Sequence, residues 1–215
     1  MRLALKSPAG APRMVPVDGQ HRYTDGRRWW PSATALVGRL NPYHGPPPDP
    51  GPNGPAEVGR RAHAAMEAAI RAGGAVPEMA CGADPAAAHV SHLARYLPHL
   101  GDVWAVEQPV LSRILNVAGT VDLIAEYDGE PSVIDWKTKR RQPEAEHIRW
   151  HFVQAAIYAQ AWREMTGMEV QQLLVIVSTG LESRPYARTT SSMNEVVYAD
   201  TTMRALHDLN SEMAQ

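Results

Sequence analysis

Apolar and polar positions change period twice along the chain, separating a mixed front, a stranded centre and a long apolar helix. Residues 14–30 alternate loosely around Asp18-Gly19 and Asp25-Gly26, two turn dipeptides that predict a small hairpin. Pro31-Ser32 opens a short helix running to Leu40, with Ser32 as its cap. From Asn41 to Pro55 proline and glycine are too dense for regular structure, which predicts a stiff, extended loop, a connector or else a lid or strand guide. An alanine-rich helix over 56–71 ends at Gly73-Gly74, and a second covers 84–96, ahead of Pro98.

The period then becomes alternating. Residues 103–111, 116–127 and 132–137 read as three successive strands, the last two joined by an Asp128-Gly129 turn. Residues 144–165, carrying Trp150, Phe152, Ile157, Tyr158 and Trp162, are apolar on more than one side and predict a helix packed on a sheet. Strands over 170–178 and 184–190 and a helix from Tyr198 complete an α-β-β-β-α-β order. The fold class is therefore α/β, a central mixed β-sheet flanked by α-helices. Residues 1–55, with hairpin, short helix and Pro/Gly-rich loop, belong to the same domain as the core over 56–215.

Composition narrows the chemistry. With 215 residues, 44% hydrophobic and 20% charged, the chain can bury a sizeable core and lacks the bias of a disordered protein. A formal charge of -2 means that nucleic-acid binding must come from local basic patches. Cys81 is the only cysteine, which excludes an internal disulfide, a thiolate zinc site and a four-cysteine iron-sulfur cluster. No stretch is apolar enough to span a bilayer and 1–14 lacks a signal-peptide core, so a cytoplasmic protein, bacterial or phage-encoded, is expected. That opening segment does carry Arg2, Lys6 and Arg13 without an acid, as organellar presequences do.

Read as a strand, Val133-Ile134-Asp135-Trp136-Lys137 sends Asp135 and Lys137 to one face and Ile134 and Trp136 to the other. Asp122 is flanked in the same way by Val121 and Leu123 on the preceding strand. Asp122 and Asp135 are equally distant from the Asp128-Gly129 turn, so they come out nearly opposite each other on one face. Two carboxylates so placed are costly to keep ionised unless a cation lies between them, and oxygen ligands suit Mg²⁺ or Mn²⁺. Lys137 beside them can orient or help deprotonate a water and offset charge on a phosphorane. Taken alone, the Asp-X-Lys motif is better explained by a solvated carboxylate pair with a salt-bridged lysine.

The motif does not stand alone. Gly59-Arg60-Arg61-Ala62-His63, Gly119-Thr120-Val121-Asp122, Asp135-Trp136-Lys137 and Gln154 with Tyr158 follow in the order and spacing of the RecB-like branch of the PD-(D/E)XK nucleases, which the chain resembles from Gly59 to Tyr158. The resemblance implies a restriction-endonuclease-like core, with His63, Asp122, Asp135 and the Trp136 carbonyl as metal ligands. It further implies Lys137 as a catalytic residue, and Gln154 and Tyr158 holding that lysine and the DNA strand. Glu107 resembles the glutamate ahead of the second motif, a ligand for a second metal or a metal-bound water, although a solvated strand glutamate reads the same.

Trp30-Pro31-Ser32-Ala33-Thr34 resembles the start of the mitochondrial genome maintenance exonucleases and related phage exonucleases, which implies Ser32 and Thr34 meeting a DNA phosphate at a helix end. Arg60, Arg61, Lys139, Arg140 and Arg141 cluster beside the motifs and would neutralise phosphates. Trp29, Trp30 and Tyr43 either stack on unpaired bases or close a satellite core. The expectation is a Mg²⁺- or Mn²⁺-dependent deoxyribonuclease without an iron-sulfur cluster, an exonuclease on single strands or DNA ends, alongside replication or recombination proteins. The alternatives are a non-catalytic DNA-binding or assembly module that keeps the fold, and a structure-specific endonuclease.

Overall fold

The computed structural model describes residues 1–6, 8, 10–17, 20–42, 51, 53–79, 84–191 and 208. The Asp18-Gly19 turn, Tyr43 and the loop beyond it, Cys81 and the helix expected from Tyr198 lie outside them. Among the described residues two sheets form. The strands β1 (Arg2–Leu3), β5 (Leu100–Ser112), β6 (Val117–Tyr127), β7 (Glu130–Thr138), β8 (Gln172–Ser178) and β9 (Ser183–Thr189) make a six-stranded sheet in that order. A smaller sheet joins β2 (Arg13–Val17), β3 (Gln20–Thr24) and β4 (Trp29–Trp30). The helices are α1 (Ala33–Leu40), α2 (Pro55–Arg71), α3 (Pro85–Leu93) and α4 (Ala145–Thr166).

The large sheet is mixed because its connections differ in length. β6 and β7 pair antiparallel across a two-residue turn in which Asp128 (φ 49) and Gly129 (φ 89) are both left-handed, the geometry that matches the twist of a tight hairpin. β7 and β8 pair in parallel, which requires a crossover, and α4 supplies it. Gly167 (φ 72) closes that helix in the left-handed conformation that a side chain would disfavour.

Helices cover both faces. Val133, Val175 and Val177 pack with α1 and α4, whereas Ile134, Trp136, Leu174 and Ile176 pack with α2 and α3. Trp162 and Trp136, both fully buried, anchor the two layers; truncating either to alanine would cost about 3–5 kcal/mol. Trp30, 2% exposed, closes a satellite core with Tyr23, Leu111 and Ala118, while Trp29 is 45% exposed.

The strict alternation expected around Asp122 does not hold. Val117 and Val121 pack with α4, but Leu123 and Ala125 pack with α2 and α3. The neighbouring strand does the same: Val106 faces α2 while Val110 faces α4. The register pairs Val106 with Leu123 and Gln108 with Val121, so Glu107 and Asp122 lie across from each other where both strands exchange faces. Glu107 absorbs the exchange with φ 46, a conformation that costs a non-glycine residue about 1–2 kcal/mol.

Three smaller differences follow from local chemistry. β1 extends the sheet edge by pairing in parallel with β5, which no periodicity in two residues could announce. The helix expected over 84–96 is α3 followed by a 3₁₀ segment, Ala94–His99, that contains Pro98, whose ring removes a backbone donor. Ser32 is the N-cap residue of α1 but its side chain makes no capping bond; instead its backbone bridges to Ala118.

Candidate active site

The face exchange delivers two acids to one point. His63 of α2 places Nδ1 3.4 Å from Asp122 Oδ2 and 3.8 Å from Glu107 Oε1. One ligand atom from each of His63, Glu107 and Asp122 lies within 4.8 Å of the others. His63 Nε2 is 2.8 Å from the Trp136 carbonyl oxygen. Donation of that N–H leaves Nδ1 as the ring atom turned to the acids, so the backbone of β7 sets the tautomer. Gly59, one turn earlier, lets α2 approach the sheet: a Cβ there would lie 3.1 Å from Thr138 Oγ1.

Asp135 and Lys137 sit beside this cluster on β7. The β6–β7 ladder ends at Leu123 and Ile134, and the next backbone N–H, that of Trp136, donates instead to Asp122 Oδ2 at 2.9 Å. Extending the register puts Asp122 opposite Asp135, as the turn position predicts. Lys137 Nζ donates to Asp135 Oδ1 at 2.6 Å, and Asp135 Oδ2 is buried without a hydrogen-bond partner among the described residues. Such an orphaned oxygen is costly unless a cation or donor meets it.

The electrostatics follow from burial and charge. Burial, reinforced by Asp122, pushes the Asp135 carboxyl up to about 6 against the pull of Lys137. Burial opposes the charge on His63, but Asp122 and Glu107 outweigh it and raise the imidazole to about 9. Lys137 is likewise raised, its desolvation overcome by Asp135 and Asp122, so the amine stays an ammonium. An imidazole nitrogen, carboxylate oxygens and one unsatisfied buried oxygen form a donor set that fits a hard divalent cation.

A cavity of about 740 Å³ opens over this centre. From α4 it is lined by His147, His151, Gln154 and Tyr158, positions that share one helix face. Gln154 Nε2 donates to Tyr158 Oη at 2.8 Å and to Thr34 Oγ1 at 3.2 Å, tying α4 to α1. Tyr158 rests on Gly119, where a Cβ would fall 2.5 Å from its Cε1. The hydrogen bonds of Gln154 therefore go to Tyr158 and Thr34, with none to Lys137.

Of the basic candidates, Lys139, Arg140 and Arg141 line the cavity. Arg60 and Arg61 do not: Arg60 pairs with Glu57 at 2.6 Å, and Arg61 with Asp84 at 2.9 Å. Ser32 is also outside it, whereas Thr34 is within. Residues unforeseen from the sequence join the wall, namely His21 and Tyr23 of β3, Thr120, and the histidines of α4. Helical spacing from Gln154 could have found His147 and His151; the approach of the small sheet, through Tyr23 Oη and Thr120 Oγ1 at 3.1 Å, carries no local signal.

A mixed sheet with helices on both faces gathers acids, a histidine and a lysine around one break in its pleat. The sequence model of the PD-(D/E)XK nuclease superfamily matches residues 86–215, more than half of the chain, and the chain belongs to that superfamily. PD-(D/E)XK nucleases use divalent metals. Among solved structures, LHK-Exo in complex with dAMP is similar at a TM-score of 0.43 and 12% identity, over 86% of this chain and 90% of that one. An alkaline exonuclease (LHK-Exo) from Laribacter hongkongensis is similar at 0.39 and 13%, over 72% and 81%. No curated protein matches the chain in sequence. Among the described residues no helix is long and apolar enough to cross a membrane.

Proposed function

We propose that this chain is a Mg²⁺- or Mn²⁺-dependent deoxyribonuclease of the RecB-like kind, an exonuclease that hydrolyses phosphodiester bonds of single-stranded DNA or DNA ends in replication, recombination or repair. The observation that carries the reading is the convergence of ligand atoms of His63, Glu107 and Asp122 within 4.8 Å of one another, beside the buried Asp135 and its partner Lys137. His63, Glu107, Asp122 and Asp135 would hold the cation. The Trp136 carbonyl, engaged by His63, acts first by orienting that ring. The bound cation supplies Lewis acidity to the phosphodiester and acidifies an attacking water.

The chain's own groups do the rest. Lys137, an ammonium held by Asp135, offers a positive charge toward the phosphorane. Asp135 holds that ammonium in place at 2.6 Å. Gln154, Tyr158 and Thr34 form a rigid polar strut behind the site. Lys139, Arg140 and Arg141 bring the phosphate backbone in, and residues of β3 and α1 wall the cavity on the other sides.

The test uses purified protein with end-labelled single- and double-stranded oligonucleotides, in Mn²⁺, Mg²⁺ or chelator. Metal-dependent cutting from ends, lost in Asp135→Ala and Lys137→Ala, is expected. Cutting that survives both substitutions would place the chemistry elsewhere.

A further inference from the structure

His151 belongs to the α4 stripe and has no role in the site as described. It lines the cavity four residues after His147 and three before Gln154, on the face that also carries Tyr158. Gln154 and Tyr158 are committed to each other and to Thr34, whereas His151 makes no hydrogen bond to any described residue. Its ring is partly buried and close enough to Lys137 and Lys139 that both ammonium groups act on it. Burial comes first and the two lysines second in holding the imidazole neutral, well below its usual value.

A neutral imidazole near two ammonium groups cannot attract an anion by charge. It can offer one N–H to an oxygen that the lysines have drawn in. The cations on this side of the cavity, Lys139, Arg140 and Arg141, lie on the segment leading from β7 to α4, away from the His63 cluster on α2. A phosphate held there is therefore a neighbour of the one over the metal ligands. We infer that His151 and Lys139 form a subsite for the phosphate adjacent to the scissile one, with His151 as a hydrogen-bond donor and Lys139 as the charge. The inference rests on the nuclease reading and extends it to a second phosphate of the same strand.

The experiment compares wild type with His151→Phe, which keeps the ring and removes the donor, His151→Gln, which restores an N–H, and Lys139→Met. Fluorescence anisotropy of a labelled single-stranded oligonucleotide in chelator reports binding without cleavage, and circular dichroism confirms folding. His151→Phe is expected to weaken binding about 10- to 100-fold, the loss of one hydrogen bond to a charged group. His151→Gln should recover most of it. Lys139→Met should lower the slope of log affinity against log salt by about 0.7, while His151→Phe leaves the slope unchanged because no charge is removed.

In cleavage assays the His151→Phe effect should fall on KM, with kcat within about threefold. Wild-type binding by His151→Phe, no rescue by glutamine, a salt slope that falls with His151→Phe, or a loss confined to kcat would each overturn the subsite. Failure of the wild type to cut any DNA with metal would overturn the nuclease reading instead, and the binding data would still decide the subsite.

Discussion

Gly119→Ala tests whether the second motif's glycine is there to seat Tyr158. The new Cβ would fall 2.5 Å from Tyr158 Cε1, 3.1 Å from Cζ and 3.0 Å from Oη. Carbon atoms in contact sit about 3.5–4.0 Å apart, so β6 and α4 must separate by roughly 1 Å or the ring must leave its place. The ring is fully buried in the α4 layer and its hydroxyl is bound to Gln154, so neither adjustment is free. Overpacking of this kind costs about 1–3 kcal/mol. Tyr158→Ala alone should cost about 3–5 kcal/mol through the void it leaves.

The double variant is the informative one, because the alanine methyl would then occupy space the ring has vacated. Its loss should fall short of the sum by about 0.5–3 kcal/mol, the range seen for residues in direct contact. Urea unfolding followed by tryptophan fluorescence and far-UV circular dichroism measures all three. Losses that add to within about 0.5 kcal/mol would refute the argument, since independent sites add. Gly59→Ala provides the contrast: its Cβ meets only Thr138 Oγ1 at 3.1 Å, a side-chain hydroxyl, and alanine gains about 1 kcal/mol of helix propensity over glycine. Its net change should be near zero.

Glu107→Gly should be about 1 kcal/mol more stable than Glu107→Ala, because φ 46 strains alanine and not glycine; equal stabilities by urea unfolding would mean the strand relaxes. Both variants should bind Mn²⁺ more weakly by titration calorimetry. In the metal-free chain Asp122 and Glu107 hold a proton on His63 up to about 9, so metal must displace it, and Mn²⁺ affinity should rise with pH through that value, with proton release in calorimetry across buffers. A pH-independent affinity would remove His63 from the ligand set. His89, whose Nδ1 lies 3.1 Å from Ser178 O, is lowered mainly by burial. A lowered base contributes stability that is present above its unfolded value near 6.5 and is lost as pH falls below it. Wild type should therefore lose more stability than His89→Gln between pH 7.5 and 5.5.

Most elements were legible because each carries one dominant period. The Asp128-Gly129 turn placed Asp122 and Asp135 opposite each other, and the hairpin bears this out up to the ladder's end at Leu123 and Ile134. The long apolar helix is α4, and the 132–137 strand is β7 within its ends. What alternation could not show is that β5 and β6 exchange faces together at Glu107 and Asp122, because each strand alone reads as ordinary. Nor could a charge count tell Arg60 and Arg61, held by Glu57 and Asp84, from Lys139 and Arg140, which face the cavity. Arg60 finds its partner one turn back on its own helix, whereas Arg61 also reaches Asp84 on a neighbouring segment, a contact set by tertiary packing.

That exchange of faces explains why a site can form in the middle of a covered sheet at all. With strict alternation, Glu107 and Asp122 would each point under one helical layer, and a charge there would be desolvated without a partner. Breaking the pleat on both strands at one level turns the two acids toward the gap between α2 and α4, where His63 reaches them from one layer and the Gln154 strut flanks them from the other. The strain at Glu107 is then the local cost of an opening between two otherwise closed cores. It follows that a substitution which restored regular pleating at Glu107 would close the cavity as it stabilised the sheet, so stability and metal binding should move in opposite directions at this one residue.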